Sequence, residues 1–519
     1  MTHRVTIGLV GVLALVLCTA FTPMALGAAA PAPRYGGHLV TAFLAKPSSL
    51  DPARTNAPGY DASVFNVLYN RLVRPGKDGA ASPDLAASWK VAKDGRSIEF
   101  ALRRGVTFHD GTPFDAAAVK FNLDRIIDPT TTHTGRTYFE DVQSIDVIDP
   151  STVRVNLKEP SAQIMAGLMF FPGYMASPTA VRKYGADYQL HPSGTGPFML
   201  KEWVPADRVQ LVRNESYWEK DEAGRKLPYL DEITMRVIPE DSVRYVEIRS
   251  GTVQVVDRVP AQNLQEVLKD RTMQYVDTPT TVLSMLVFNM ATRRSIFADD
   301  PNLRLAVAHA IDRDGILKTV FLGEGYIAPF IYTKQELGYR SDGGIPYDLA
   351  KAKDFLKKSR YDGRPVVLST IAREPDRQLA QVVQAQLGAI GMNIQLEVLE
   401  RLAFVDKASK LNFEFGMVQG TFPLPSAYLA IDLHMGGGAS NRGFATPMMR
   451  RLLKKLRTSF TPEETKKTMS DIQDYVLQMS PRVFIVHRTY GNVVRRGVNG
   501  FKNEFHGVWD LSRVWLDRR

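Results

Sequence analysis

The chain is almost without cysteine. Its one cysteine, Cys18, lies in the N-terminal stretch, so no disulfide can staple the fold. Histidine is also sparse. The nine histidines are scattered, and no two fall at the i, i+3 or i, i+4 spacing that would place two metal ligands on one helix face. GxSxG, HExxH and Walker A sequences are absent, which removes the usual sequence signals of a serine hydrolase, a zinc protease and a P-loop nucleotide site. Past the N-terminus no apolar run reaches the length of a membrane span; the longest, Ile164–Phe171 and Val282–Phe288, are of strand or short-helix length. Low-complexity tracts and internal repeats are missing as well. Lysine and arginine number 65 against 55 acids, a net charge of +10. These basic residues are dispersed, with no arginine-rich tail, helix-turn-helix or zinc-finger pattern, so nucleic acid is not an expected partner.

What is present begins with a targeting pattern. Arg4 supplies a positive flank, Ile7 to Phe21 is apolar, and Ala25, Gly27, Ala28, Ala29 and Ala30 offer small residues for cleavage. A signal peptide over residues 1–30 is expected. Leu17 before Cys18 does not suit a lipoprotein site, and cleavage would leave a mature chain free of cysteine. The remaining length suffices for two or three domains with separate cores.

Along the chain, strand and helix signals alternate. Gly37–Phe43 reads as a strand behind a glycine turn, and Asp61–Val73 has helical spacing in Val64, Val67, Leu68 and Leu72. Ser97–Leu102 alternates like a half-buried strand. Asp110-Gly111 is a turn, and Asp115 can cap a helix carrying Val119, Leu123, Ile126 and Ile127 on one face. Val147–Leu157 reads as a hairpin turning at Asp149-Pro150. Val366–Thr370, a helix over Leu379–Ile390 and Asn393–Leu399 form a βαβ unit, the building block of an α/β lobe. Pro462–Met479 is a long amphipathic helix followed by a strand at Arg482–Val486. Trp89, Trp203 and Trp218 read as core residues in preference to ligand platforms.

Several segments occur in a telling order: GGHLVTAFLAKPSSLDPA at Gly36–Ala53, the run from Leu85 to Gly111 ending in FHDG, GTGPF at Gly194–Phe198, RNESYW at Arg213–Trp218, the stretch Val287–Ile316, and PYDLAKAKDFL at Pro346–Leu356. Together they resemble the extracytoplasmic solute-binding proteins of ABC importers, in the peptide/nickel-binding family (family 5). The resemblance spans the mature chain. It implies an α/β fold of the two-lobed, hinge-type periplasmic binding-protein kind, type II-like, of the larger class with an extra subdomain in the first lobe. The implied division is 31–75, 195–281 and 487–519 for the main part of lobe I, 76–194 for the extra subdomain and 282–486 for lobe II. The crossings between lobes are expected near Val282–Asn289 and Phe484–Gly491. The implied function is capture of a solute and delivery to an inner-membrane ABC permease with its ATPase. A monomer with no cofactor, no metal site and no catalytic residue is expected.

Peptide-binding members clamp the ligand carboxylate with an arginine at the start of a second-lobe helix, and Arg373 occupies the matching place. Two readings of Arg373 stand side by side: the clamp, or a surface arginine beside Glu374 and Asp376. The same members hold the peptide amino group with an aspartate after a second-lobe strand, here Phe413–Val418. No acid appears from Gln419 to Ala430, which disfavours a zwitterionic dipeptide and leaves a peptide-like or carboxylate-bearing solute. Phe422, Pro423, Leu424 and Tyr428 are candidate apolar walls; His434 and Asn441 are further candidates. Ser48, Ser49 and Tyr60 are added from the loop after the first strand. A nickel-chelate receptor and a periplasmic hydrolase are the alternatives.

Overall fold

Burial on both faces marks the strand Val282–Phe288 as the centre of an α/β layer. Leu283, Met285 and Val287 pack into one core while Leu286 and Phe288 pack into another, as the two-residue period of a strand requires. The computed structural model describes residues 32–55, 58–76, 79–130, 133, 135–278, 282–292, 295–421, 431, 444–504 and 507–517. From Arg34 onward the chain forms one unit built on three main sheets.

The first sheet has seven strands, in the order Met273–Val276, Asn492–Arg495, Val255–Val256, His38–Phe43, Glu232–Val237, Arg208–Arg213 and Phe198–Val204. His38–Phe43 runs parallel to both neighbours, from His38 opposite Glu232 to Phe43 opposite Val237. The second sheet has six strands, in the order Tyr326–Ile327, Arg482–Arg488, Val282–Phe288, Phe415–Thr421, Val366–Ile371 and Ile394–Leu399. Val366–Ile371 is parallel to both Ile394–Leu399 and Phe415–Thr421. A third, antiparallel sheet of four strands (Ala86–Val91, Ser97–Leu102, Thr152–Leu157, Val142–Asp149) carries an apolar core of its own. The architecture is the two-lobed α/β fold, the first and second sheets being the frames of the lobes.

Helices form where apolar spacing and caps agree. Asp115 accepts the Ala118 amide at the start of Ala116–Ile127. Thr461 and Glu464 form a reciprocal capping box at the start of Pro462–Met479, whose Met469, Ile472 and Val476 are buried. Leu379, Ala380, Val383 and Leu387 line the buried face of Asp376–Gly388, the helix of the expected βαβ unit.

One expected helix is shorter than its periodicity. Asp61–Val73 resolves into a helix over Pro58–Leu68, after which the chain extends. The GTG turn is the cause. Gly196 donates to the Leu68 carbonyl at 3.1 Å, and a Cβ on Gly196 would lie 2.5 Å from the Leu68 carbonyl carbon, so the two glycines admit a close approach that ends the helix. Leu72 then donates to Gly173, and Val73–Pro75 pairs with Ala81–Pro83. Arg71, buried in this junction, donates to Glu504 at 2.9 and 3.0 Å and to the Tyr174 hydroxyl at 2.6 Å, tying the chain around Tyr174 to the C-terminal residues near Glu504. The three tryptophans sit at core edges: Trp89 and Trp218 pack against the third-sheet core and Trp203 against the first-sheet core.

Candidate ligand-binding cleft

The chain leaves the first sheet after Val276 and joins the second at Val282; it returns between Arg488 and Asn492. The first changeover thus lies just before the strand Val282–Phe288, and the return lies after Arg488, at residues 489–491 of the stretch Phe484–Gly491. Val282 pairs with Arg488 on one side and Thr421 on the other, so both changeovers and the end of Phe415–Thr421 meet at one end of the central strands of the second sheet. In open α/β sheets ligands bind outside the C-terminal ends of parallel strands. Val366–Ile371 and Phe415–Thr421 direct their C-terminal ends to this region.

Charged side chains from three separate segments converge on the return crossing. The guanidinium carbon of Arg258, which follows the first-sheet strand Val255–Val256, lies 4.0 Å from the ring centroid of Tyr490. That of Arg488, at the end of the second-sheet strand, lies 4.9 Å from the same ring and 5.3 Å from the Phe321 ring. Tyr490 therefore contacts one arginine that follows a first-sheet strand and one that ends a second-sheet strand. Arg488 approaches Glu324 to 3.8 Å. Burial pushes the Glu324 carboxyl above its ordinary value while Arg488 and Arg258 pull it back. Asp257, next to Arg258, accepts the Leu44 amide at 3.1 Å and faces Arg244 at 3.0 Å, which fixes this end of the first sheet.

Arg373 sits in the turn after Val366–Ile371. Its guanidinium holds Asp376 through Nε at 2.9 Å and Nη2 at 2.8 Å. The Arg373 side chain is 53% exposed and that of Asp376 only 1%, so the pair presents a cation to solvent from a fixed carboxylate. Burial raises the Asp376 carboxyl, and Arg373 and then Arg488 counter it. Arg488 thereby links the two acids electrostatically: Asp376 paired with Arg373, and Glu324 near Arg258. With Arg244 and Asp257 included, four guanidinium groups stand against three carboxyls, and the arginines supply fork-shaped donors for a carboxylate.

The remaining sequence candidates are less concentrated. Ser48 donates to Asp61 at 2.5 Å and Ser49 to Gln189 at 3.3 Å, so both hydroxyls shape the loop after the first strand. Asp61 also accepts from Thr55 at 2.6 Å, and burial raises its carboxyl. Tyr60 belongs to the first turn of Pro58–Leu68, and its side chain lies outside the described residues. Phe422, Pro423, Leu424, Tyr428, His434 and Asn441 also lie outside them, in the segment that follows Thr421. Arg258, Arg488, Glu324 and Tyr490 were not anticipated. The only signal in the sequence was the position of Arg488 and Tyr490 within the expected return crossing. Among the described residues no group of three or more His, Cys, Asp or Glu could hold a metal, and no helix is long and apolar enough to cross a membrane.

Comparison with known proteins decides the class. Residues 80–441 match the model of the bacterial extracellular solute-binding proteins, family 5. The chain belongs to this family. A curated relative, the glutathione-binding protein GsiB of Salmonella choleraesuis, is 30% identical over 355 residues, covering 68% of each chain. Among solved structures, the periplasmic binding protein AgaA from A. tumefaciens R10, in complex with agropinic acid, superposes with a TM-score of 0.72 at 26% identity, over 93% of this chain and 99% of that one. HbpA2 from Haemophilus parasuis gives a TM-score of 0.83 at 21% identity, over 93% and 100%, and supports the fold. The family 5 protein described here is thus a substrate-binding protein of an ABC import system. Members of the family are binding proteins, not enzymes, and work in the periplasm.

Proposed function

We propose that this family 5 protein captures a carboxylate-bearing or peptide-like solute between its lobes and hands it to an inner-membrane ABC permease with its ATPase. The observation that carries this reading is the guanidinium excess at the crossing: Arg258 comes from the first lobe, while Arg373 and Arg488 come from the second. A ligand favours closure only through contacts it makes with both lobes at once. A carboxylate bridging these arginines meets that condition. The names of two relatives point the same way, since glutathione and agropinic acid are both carboxylic acids.

In this reading residues 1–30 are removed as a signal peptide and the mature protein acts as a periplasmic monomer without a cofactor. Lobe I comprises 31–75, 195–281 and the C-terminal stretch expected at 487–519, the extra subdomain 76–194, and lobe II 282–486 extended to Arg488, because the second-sheet strand Arg482–Arg488 runs two residues past the expected boundary. The membership of the three sheets supports this division. Thermal unfolding of the mature protein against a solute panel tests the proposal. The panel contains glutathione, agropinic acid, dipeptides, longer peptides, sugars, and nickel with and without histidine. A ligand at about one hundred times its Kd stabilises the folded state by about 2.7 kcal/mol. Shifts with acids and none with sugars are expected; a shift with sugars alone would overturn the carboxylate reading.

A further inference from the structure

A cavity of about 270 Å³ lies away from the crossing, between the extra subdomain and the second lobe, and shares no residue with the arginine cluster. Trp89, Met165 and Met169 wall it from the third-sheet side; Leu456 and Met469 wall it from the helices Pro447–Arg457 and Pro462–Met479, and Phe460 from the loop between them. The two sides are joined at its rim. Ala162 donates its amide to the Arg457 carbonyl at 2.8 Å, and the Arg457 side chain pairs with Asp141. The Phe460 ring is lodged against Gly95 and Pro160, where a Cβ on Gly95 would come within 3.0 Å of it.

Among the polar groups of the lining, which include the hydroxyls of Ser459, Thr461 and Thr465, two stronger acceptors stand out. Gln163 is 7% exposed, and its Oε1 is buried with no hydrogen-bond partner. A buried amide oxygen left unpaired is costly, so its presence beside a cavity points to an absent donor. Glu336 accepts the Thr333 amide at 2.6 Å, and no lysine or arginine among the described residues pairs with it. Burial pushes its carboxyl up to about 7. The basic residue in the lining, Arg457, is engaged by Asp141. Methionine sulfurs and aromatic faces suit an adaptable apolar guest, and a protonated amine can donate both to an unpaired carbonyl oxygen and to a carboxyl in the same lining.

We propose that this cavity is a second binding site, which takes a small amphipathic amine with its apolar body among Trp89, Met165, Met169 and Met469 and its ammonium group toward Glu336 and Gln163. Isothermal titration of the mature protein with phenethylamine tests it, with 2-phenylethanol and 3-phenylpropionate as neutral and anionic counterparts. Saturable binding of the amine alone is expected. Glu336→Gln should weaken it by about tenfold or more, the effect of removing a charge-assisted partner. Ala162→Leu, which narrows the cavity without touching either acceptor, should weaken it as well, while Arg373→Ala should leave it unchanged. The proposal is overturned by absence of saturable amine binding in the millimolar range, by equal binding of the alcohol, or by an affinity that neither cavity variant moves.

Discussion

His487 offers a test of how closely the second lobe is packed beside the crossing. It lies in Arg482–Arg488 with no exposed surface; its Nε2 is 2.9 Å from the Phe330 carbonyl, and its ring stacks 5.1 Å from that of Tyr326. Burial drives its pKa down from 6.5 to about 4. Below pH 6.5 the unfolded chain takes up a proton that the folded chain refuses. Stability present above that pH is therefore lost progressively as the pH falls toward 4. At 1.36 kcal/mol per pH unit, the loss between about pH 7.5 and about pH 5 is roughly 2 kcal/mol. His109 and His133, also held near 4 by burial, act with the same sign. Asp84 and Glu336, whose carboxyls burial pushes up to about 7, act with the opposite sign: the folded state keeps protons that the unfolded state releases, so stability is lost as the pH rises toward 7. The whole-protein profile mixes these effects, and the comparison with His487→Gln isolates one of them. Glutamine does not titrate and keeps an N–H for the Phe330 carbonyl. Urea unfolding of both proteins at the two pH values should show the variant gaining about 2 kcal/mol on the parent at the lower pH. A stability gap that stays constant with pH would refute the reasoning.

Two further predictions concern the cleft. Arg373→Ala should lower affinity for glutathione or agropinic acid by about tenfold or more, measured by titration calorimetry. Removing Arg373 also leaves the buried Asp376 carboxyl without its partner, so thermal unfolding of the variant is measured alongside and affinity is compared where both proteins are folded; unmoved affinity removes Arg373 from the site. Gly491→Ala would place a Cβ 1.8 Å from the Tyr275 ring, which must shift out of its packing beside the return crossing. A destabilisation of about 1–3 kcal/mol is expected in thermal unfolding, and an unchanged Tm would show that Tyr275 is free to move.

Local signals were legible wherever one segment determined the outcome. Asp115 caps its helix, the 366–399 unit folds as βαβ, and Pro462–Met479 forms at its expected bounds, because cap chemistry and apolar spacing lie within a few residues of each other. The helix over Asp61–Val73 was over-extended because Gly194 and Gly196, more than a hundred residues away, end it by packing against Leu68. The ordered motifs carried the family and the fold class. The site was only partly legible. Arg373 was found through its place after a strand, but its partner's depth, with Asp376 buried beneath it, follows from tertiary packing alone. Arg258, Glu324, Arg488 and Tyr490 come from three distant segments that meet only after both lobes form, and no local pattern announces such a meeting. Ser48 and Ser49 illustrate the converse: their exposed-looking loop folds around the buried Asp61, and their hydroxyls serve that loop.

The central claim is that an anionic group is held by arginines from both lobes. The most direct measurement is titration calorimetry of the mature protein with glutathione and with the same molecule converted to its carboxamides, repeated with agropinic acid if glutathione does not bind. Loss of the charge should remove at least one charge-assisted contact, an affinity drop of about tenfold or more. Binding of acid and amide with equal affinity would contradict the account.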